Sequence, residues 1–351
     1  MTTVLDPLNT ALHRAFAGDE RVVLLGQDVL DPYGGAFKVT RGLSSKYPER
    51  VLTTPISEAG MVGVASGMAL RGMRPIVEIM FGDFLTLAAD QLINHAAKFR
   101  WMYNDQVRVP LLLRTPMGGR RGYGPTHSQT LEKLFLGVPG LRMLSPAALG
   151  DPGELLFQVT MQSEDPVLFI ENKLLYLLPL DEDAFLRDFT IQTWQSGGND
   201  ALQTNTSPLS LIPPAPGYTL AIRGAPGATL TIVSYGYMAE LARLACLKLA
   251  YEREIFCELI VPTQLAPFQM DAIQDSARRT GNLLVVEEGS LTSGWGAEIL
   301  ARLTEKPGSN LRHARRLGAR DLPIPVSPPL ENAVLPGVED IVQVAQELLT
   351  G

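Results

Sequence analysis

The chain is poor in cysteine. Its 351 residues include two, Cys246 and Cys257, and their spacing forms neither a CxxC pair nor any zinc-ligand pattern. They flank a stretch that is typical of a helix followed by a strand. We therefore expect both to be small core residues, and a cysteine-based zinc site is excluded.

Several signatures of catalysis and nucleotide binding are absent. The sequence contains no HExxH, no GxSxG and no GxxxxGK[ST]. The glycine pairs Gly34-Gly35 and Gly118-Gly119 do not form a GxGxxG turn between a strand and a helix. The sequence therefore gives no support to a zinc protease, a hydrolase with a nucleophile elbow, or direct nucleotide binding.

Long apolar runs and an excess of positive charge are also missing. No run of about 18 apolar residues occurs, as a membrane-spanning helix would require. The first residues lack a basic region followed by an apolar stretch and a cleavage site. The formal net charge of −7 argues against a general nucleic-acid binder. We expect a cytoplasmic protein that binds neither nucleic acid nor membrane.

The composition and the chain length indicate two apolar cores. Hydrophobic residues make up 46% of the chain and charged residues 19%, which favours extensive buried surface, including subunit interfaces. Short apolar runs alternate with helical stretches, and such alternation predicts α/β folds with doubly wound, mainly parallel sheets. We predict one such domain over 1–180 and a smaller one over 218–351. Between them, 181–217 is turn-rich and polar, typical of a linker or surface insertion.

Glu58 is the first candidate for chemistry. It lies in Thr54-Pro-Ile-Ser-Glu-Ala-Gly60, ahead of a run of small and apolar residues over 61–70 that predicts a closely packed helix. A carboxylate in the first turn of a helix is favoured by the helix dipole, and Ser57 could cap that helix. On this segment alone, Glu58 is either an ordinary helix-end residue or a group that exchanges a proton with a cofactor ring.

Three further candidates lie at or beyond the ends of predicted strands. Met80 and Phe84 lie at the end of the predicted strand 75–80, where α/β sheets place ligands, and form either core or a flat wall for a heteroaromatic ring. His127 lies in the glycine-rich stretch 114–129. A group that titrates near neutrality in a flexible loop suits proton transfer in a closing site, although an ordinary surface histidine is the alternative.

Ordered motifs through most of the chain resemble one family. They include Leu25-Gly-Gln-Asp-Val29, the segment around Glu58, His127-Ser-Gln129, Val285-Val-Glu-Glu-Gly289 and Gly294-Trp-Gly-Ala-Glu298. Together they resemble the beta subunit of the thiamine-diphosphate-dependent 2-oxo acid dehydrogenases, except over about 181–217. The resemblance implies a transketolase-like pyrimidine-binding domain followed by a transketolase C-terminal-like domain.

The resemblance also implies roles for particular residues. Glu58 would hydrogen-bond the aminopyrimidine ring nitrogen and favour the tautomer that takes the proton from the thiazolium carbon, after which the cofactor attacks a small 2-oxo acid. Met80 and Phe84 would pack against the pyrimidine. His127 would handle protons on the bound intermediate and during acyl transfer to a lipoyl-type acceptor. Gln27, also expected at the cofactor, stands where the family commonly has glutamate and cannot relay a proton by ionising.

Partners and ions follow from the same resemblance. The diphosphate and its magnesium would be held by a separate alpha subunit in an assembly of two alpha and two beta chains. The sequence agrees, because it has no GDG followed about 25 residues later by asparagine, and Gly82-Asp83-Phe84 only begins like that motif. A lipoyl acyltransferase is a further expected partner. A potassium ion is expected at the residues that match the family's site, namely Leu111, Val159, Thr160, Gln162 and Asp165.

Two alternatives remain open from the sequence. One keeps the thiamine chemistry but passes the acyl group elsewhere, as in acetoin cleavage, acyloin formation or a transketolase-like reaction without a lipoyl partner. The other is a catalytically inactive scaffold subunit. The presence of both Glu58 and His127 argues against the scaffold.

Overall fold

The computed structural model describes residues 2–180, 187–195, 214–305 and 310–350. Of the segment predicted to be a linker or insertion, 181–186 and 196–213 lie outside these ranges. Within the described residues, no helix is both long and apolar enough to cross a membrane.

The first half alternates helices and strands as the sequence predicts. Its elements are α1 (Leu5–Gly18), β1 (Val22–Gly26), α2 (Leu43–Lys46), β2 (Val51–Thr53), α3 (Glu58–Leu70), β3 (Arg74–Glu78), α4 (Ala97–Met102), β4 (Leu112–Met117), β5 (Arg142–Leu144), α5 (Pro152–Gln162) and β6 (Val167–Asn172). Between β3 and α4 the chain forms a 3₁₀ helix over Gly82–Ala88 and a π-helix over Gln91–Ala96.

The second half builds another α/β unit. Its elements are β7 (Phe189–Gln195), β8 (Pro216–Ile222), β9 (Leu230–Ser234), α6 (Gly236–Arg253), β10 (Cys257–Pro262), β11 (Gln264–Ala266), α7 (Asp271–Thr280), β12 (Asn282–Ser290), α8 (Trp295–Glu305), β13 (His313–Ala319), α9 (Pro328–Val334) and α10 (Val338–Thr350). Cys246 on α6 and Cys257 on β10 are buried free thiols, which confirms the prediction that both are core residues.

Two mainly parallel sheets organise the described residues. The first has the order β11-β5-β6-β4-β3-β1-β2, and β1 to β6 pair in parallel. The second has the order β13-β12-β9-β10-β8-β7, with β8 antiparallel to both of its neighbours. Strands β1, β4 and β6 are buried along their whole length, as expected for a sheet covered on both faces. The predicted α/β fold class is confirmed.

Side-chain alternation along the strands divides the first core into two layers. Val22 and Leu24 of β1 pack in the cluster that contains α1 and α5, whereas Val23 and Leu25 pack in the cluster that contains α3. The α3 cluster continues into the second half of the chain, where it includes Trp295. This cluster is therefore shared by the two halves, while separate clusters lie under α1 and α5 and around α6 and α10.

One strand also crosses between the halves. β11, from the second half, pairs antiparallel with β5 and extends the first sheet. In the segment predicted as a linker, β7 pairs with β8 at the edge of the second sheet. The predicted boundaries at 180 and 217 remain predictions.

Candidate functional site

The candidate residues meet at one edge of the first sheet. Gln27 follows β1, Glu58 follows β2, Phe84 follows β3 and His127 follows β4. These four strands are parallel neighbours, so their carboxyl ends lie along the same edge. In open α/β sheets this is where ligands bind.

Glu58 begins α3 and is buried. Ser57 precedes it as the N-cap and accepts a hydrogen bond from the backbone N–H of Gly60 at 3.3 Å. Glu58 is 3% exposed. Within the described part of the chain, its carboxylate accepts a single side-chain hydrogen bond, from Nε2 of Gln27 at 3.4 Å. A buried carboxylate with one long hydrogen bond retains the capacity to accept another from a ligand.

The surface beside Glu58 is apolar and open. Ile56, two residues earlier, is 85% exposed, and Val64 on α3 is 59% exposed. Gly63 and Gly67 lie on the same exposed side of α3, and a Cβ added at Gly67 would meet no atom within 4 Å. Small residues at this spacing leave room for the close approach of another chain.

An aromatic cluster surrounds His127. Its ring lies edge-on to Phe81, with ring centroids 4.9 Å apart, and to Phe84, with centroids 5.3 Å apart. Oγ1 of Thr126 lies 2.9 Å from Nδ1 of His127. Met80, immediately before this cluster, is half-buried. The structure therefore brings Phe84 and His127 together, although they are far apart in sequence.

Phe81 was missed by the sequence analysis. Its position directly after a predicted strand was the available signal, since side chains at that point reach the ligand edge of a sheet. From the sequence, Asp83 had no assigned role, because Gly82-Asp83-Phe84 does not match the family's GDG motif. Its Oδ1 accepts hydrogen bonds from the side chain and backbone N–H of Gln129, at 2.9 and 3.2 Å. Asp83 thereby ties the segment after β3 to the stretch that carries His127.

Lys173 was also missed. It follows β6, is 1% exposed, and its ammonium donates to the carbonyl of Gly118 at 2.8 Å and to the carbonyl of His127. Burial lowers the pKa of Lys173 to about 8. Its Nζ also lies 5.0 Å from the ring centre of Phe81. A lysine that follows closely after the apolar run Val167–Ile170 was the available signal for this role.

The residues expected to bind potassium lie near one another but already have partners. The predicted ligand groups make these contacts: Leu111 O accepts from Val167 N at 2.8 Å, Val159 O from Ser163 N at 3.2 Å, Thr160 O from Arg74 Nη1 at 3.1 Å, and Asp165 Oδ2 from Arg100 Nη1 at 2.7 Å. The side chain of Gln162 is exposed. The guanidinium groups of Arg74 and Arg100 therefore contact two of the predicted ligands and place positive charge there, which disfavours an added cation, and the potassium site stays a prediction.

Family models match both halves of the chain. The model described as "Transketolase, pyrimidine binding domain" matches residues 2–178, and that described as "Transketolase, C-terminal domain" matches residues 219–341. A solved structure described as "Split gene transketolase, inactive beta4 tetramer" covers 100% of this chain and 99% of its own, with a TM-score of 0.73 and 20% identity. At that identity the likeness shows the fold alone.

Curated relatives match over nearly the full length. The pyruvate dehydrogenase E1 component subunit beta-1, mitochondrial, of Arabidopsis thaliana is 36% identical over 98% of this chain and 88% of its own. The 2-oxoisovalerate dehydrogenase subunit beta of Pseudomonas aeruginosa is 36% identical over 86% and 82%. The acetoin:2,6-dichlorophenolindophenol oxidoreductase subunit beta of Cupriavidus necator is 32% identical over 98% and 96%. The chain belongs to the transketolase-like family of 2-oxo acid dehydrogenase E1 beta subunits.

Proposed function

We propose that this chain is the beta subunit of a thiamine-diphosphate-dependent 2-oxo acid decarboxylase/dehydrogenase, and that Glu58 activates the cofactor. The observation that carries the proposal is the placement of Glu58. It is a buried carboxylate with spare acceptor capacity at the ligand edge of the sheet. The adjoining aromatic wall of Phe81 and Phe84 is of the kind that packs against a heteroaromatic ring. These residues fit the pyrimidine end of the cofactor.

When bound, thiamine diphosphate supplies the electron sink for decarboxylation of a small 2-oxo acid. Glu58 would hold the pyrimidine ring by a hydrogen bond to its ring nitrogen, which would favour the ring form that accepts a proton. Because Glu58 is almost wholly shielded, little water competes for this bond. Gln27 orients the Glu58 carboxylate through its amide but cannot carry a proton itself.

His127 handles protons during transfer of the acyl group to a lipoyl-type acceptor. The loop presents its ring against Phe81 and Phe84, so it faces the site from the strand next to β3. An imidazole changes charge near neutral pH and is suited to both donating and accepting a proton.

An alpha subunit completes the site, in an assembly of two alpha and two beta chains. This chain contributes the pyrimidine end, while the alpha subunit holds the diphosphate and its magnesium. The open apolar surface of Ile56 and Val64, next to Glu58, fits a contact with that partner. A lipoyl acyltransferase is the second partner of this proposal.

A second candidate function is cleavage of acetoin without a lipoyl acyltransferase. It is favoured by the name of the Cupriavidus necator relative, an acetoin:2,6-dichlorophenolindophenol oxidoreductase subunit. A panel of 2-oxo acids and acetoin, assayed with the co-purified alpha partner and either a lipoyl domain or a dye as acceptor, separates the two. Turnover of acetoin but of no 2-oxo acid would refute the first candidate.

The split site has its own test. We expect the purified chain alone to bind thiamine diphosphate weakly and to show no turnover. Together with its alpha partner, it should bind the cofactor tightly and turn over. Tight binding and turnover by this chain alone would refute the requirement for an alpha subunit.

A further inference from the structure

Two buried carboxylates from the second half of the chain contact the loop that carries His127. Glu288 lies on β12 and is 3% exposed, and Glu331 lies on α9 and is 2% exposed. Neither has a role in the chemistry proposed above. Both are directed at backbone N–H groups of the loop after β4.

The contacts are specific and mostly short. Oε1 of Glu288 accepts from the N–H of Gly119 at 2.7 Å. Oε1 of Glu331 accepts from the N–H of Arg120 at 2.7 Å, and its Oε2 accepts from the N–H of Gly122 at 3.3 Å. Hydrogen bonds to an ionised carboxylate are roughly twice as strong as neutral ones, and burial removes the competition from water.

The loop needs this external support. Gly118, Arg120, Gly122 and Gly124 have φ values of 98°, 66°, 68° and 75°, so the backbone enters the left-handed region four times between β4 and His127. Arg120 has a side chain and is therefore under strain that the loop alone does not relieve. Two carboxylates that bind consecutive parts of the backbone offset that strain.

The second half also fits closely around the loop. A Cβ added at Gly119 would lie 2.5 Å from Cδ1 of Leu335 and 3.2 Å from Oε1 of Glu331. Oε2 of Glu288 accepts from Nδ2 of Asn172 at 3.0 Å, so Glu288 joins the loop to the end of β6. Lys173, the next residue, donates to the carbonyl groups of Gly118 and His127. The loop is thus held by carboxylates at its N–H groups and by an ammonium at its carbonyls.

We propose that Glu288 and Glu331 are positioning residues, which fix the loop so that His127 lies against Phe81 and Phe84. The second half of the chain then has a part in the reaction, although neither carboxylate touches the reacting atoms. The functional consequence rests on the proposed role of His127. The structural claim, that these carboxylates hold the loop in its observed position, does not depend on that role.

Limited digestion of the full-length chain tests the structural claim. Trypsin cuts after Arg120 and Arg121 only when the loop is released, and mass spectrometry of the fragments identifies those cuts. In Glu331→Gln or Glu288→Gln, an amide NH₂ replaces one acceptor oxygen and faces a donor. We expect cleavage at the loop to accelerate on the order of tenfold, because it follows the population of the released loop.

The matched control is Glu339→Gln. Glu339 is an exposed carboxylate on α10, 2.5 Å from the ammonium of Lys248. In this control variant we expect the loop after β4 to resist trypsin as well as it does in the wild type. If each carboxylate variant melts within a few degrees of wild type but is cut at the wild-type rate, the proposal is wrong. Each variant is judged separately, so a folding defect in one leaves the other to decide.

Kinetics of the enzyme with its alpha partner test the functional consequence. We expect kcat for acyl transfer to fall on the order of 10- to 100-fold in either variant, with the Kd for thiamine diphosphate and the KM for the 2-oxo acid changed only a few-fold. A merely structural defect would change all three together and would also overturn the positioning role. If His127→Ala left turnover unchanged, the role of His127 would fail, while the digestion would still decide whether the carboxylates hold the loop.

Discussion

Glu287 is a buried acid whose protonation should make stability depend on pH. It lies on β12, is 1% exposed, and its Oε1 accepts from the N–H of Gly296 at 3.2 Å. Its Oε2 has no hydrogen-bond partner among the described residues. The pKa of Glu287 is raised from 4.5 to about 7, mainly by burial and in smaller part by the nearby carboxylate of Glu132.

The sign follows from proton binding. Because the pKa of Glu287 is higher in the folded state, that state binds more protons than the unfolded chain between about pH 4.5 and pH 7. Stability therefore falls as pH rises through this window and levels off above it. The full cost of ionising Glu287 in the folded protein is about 3 kcal/mol, since each pKa unit corresponds to about 1.4 kcal/mol.

The substitution Glu287→Gln removes this cost while retaining the acceptor for Gly296. We expect the variant to gain about 2 kcal/mol relative to wild type between about pH 5 and about pH 8, a relative rise in Tm of roughly 3 °C for a chain of this length. Differential scanning calorimetry at both pH values measures it. The control Glu298→Gln, an exposed carboxylate 2.8 Å from Arg302, should show no such change. A Tm difference between Glu287→Gln and wild type that is equal at both pH values would refute the reasoning.

Three other predictions concern the site and the first core. His127→Ala should retain the Kd for thiamine diphosphate but lower acyl transfer by about 100-fold or more, measured with the reconstituted enzyme; unchanged turnover would refute the loop assignment. Arg114→Met leaves the buried carboxylates of Glu78 and Glu171 without their shared cation and should cost about 3–5 kcal/mol in urea unfolding, whereas a near-neutral change would show that both carboxylates are protonated. Exchanging potassium for sodium should leave Tm unchanged, because Arg74 already donates to the carbonyl of Thr160 at the predicted cation site. A higher Tm in potassium than in sodium would contradict this and support a potassium site there.

The sequence was sufficient for most of the fold because the central parallel strands begin with short apolar runs. β1, β4 and β6 are each fully buried, and their hydrophobic pattern needs no knowledge of their neighbours. β11 could not be found in this way. It has three residues, and its pairing with β5 depends on how the two halves of the chain pack.

In the candidate site, too, some residues could be predicted from the sequence and others could not. Glu58, Phe84 and His127 follow strands that the sequence identifies, so their common edge could be predicted. The contacts of Lys173, Glu288 and Glu331 arise only when distant segments meet, since each binds backbone groups of the loop after β4. No spacing in the sequence encodes which carbonyl or N–H a buried charge will reach.

The most direct measurement is the rate at which the thiazolium carbon of bound thiamine diphosphate exchanges its proton with deuterium in the reconstituted enzyme, followed by NMR after acid quenching. In Glu58→Gln we predict a rate lower by about 100-fold or more, with the cofactor Kd within a few-fold of wild type. An exchange rate within a few-fold of wild type, at full cofactor occupancy, would contradict the assignment of Glu58 as the activating group.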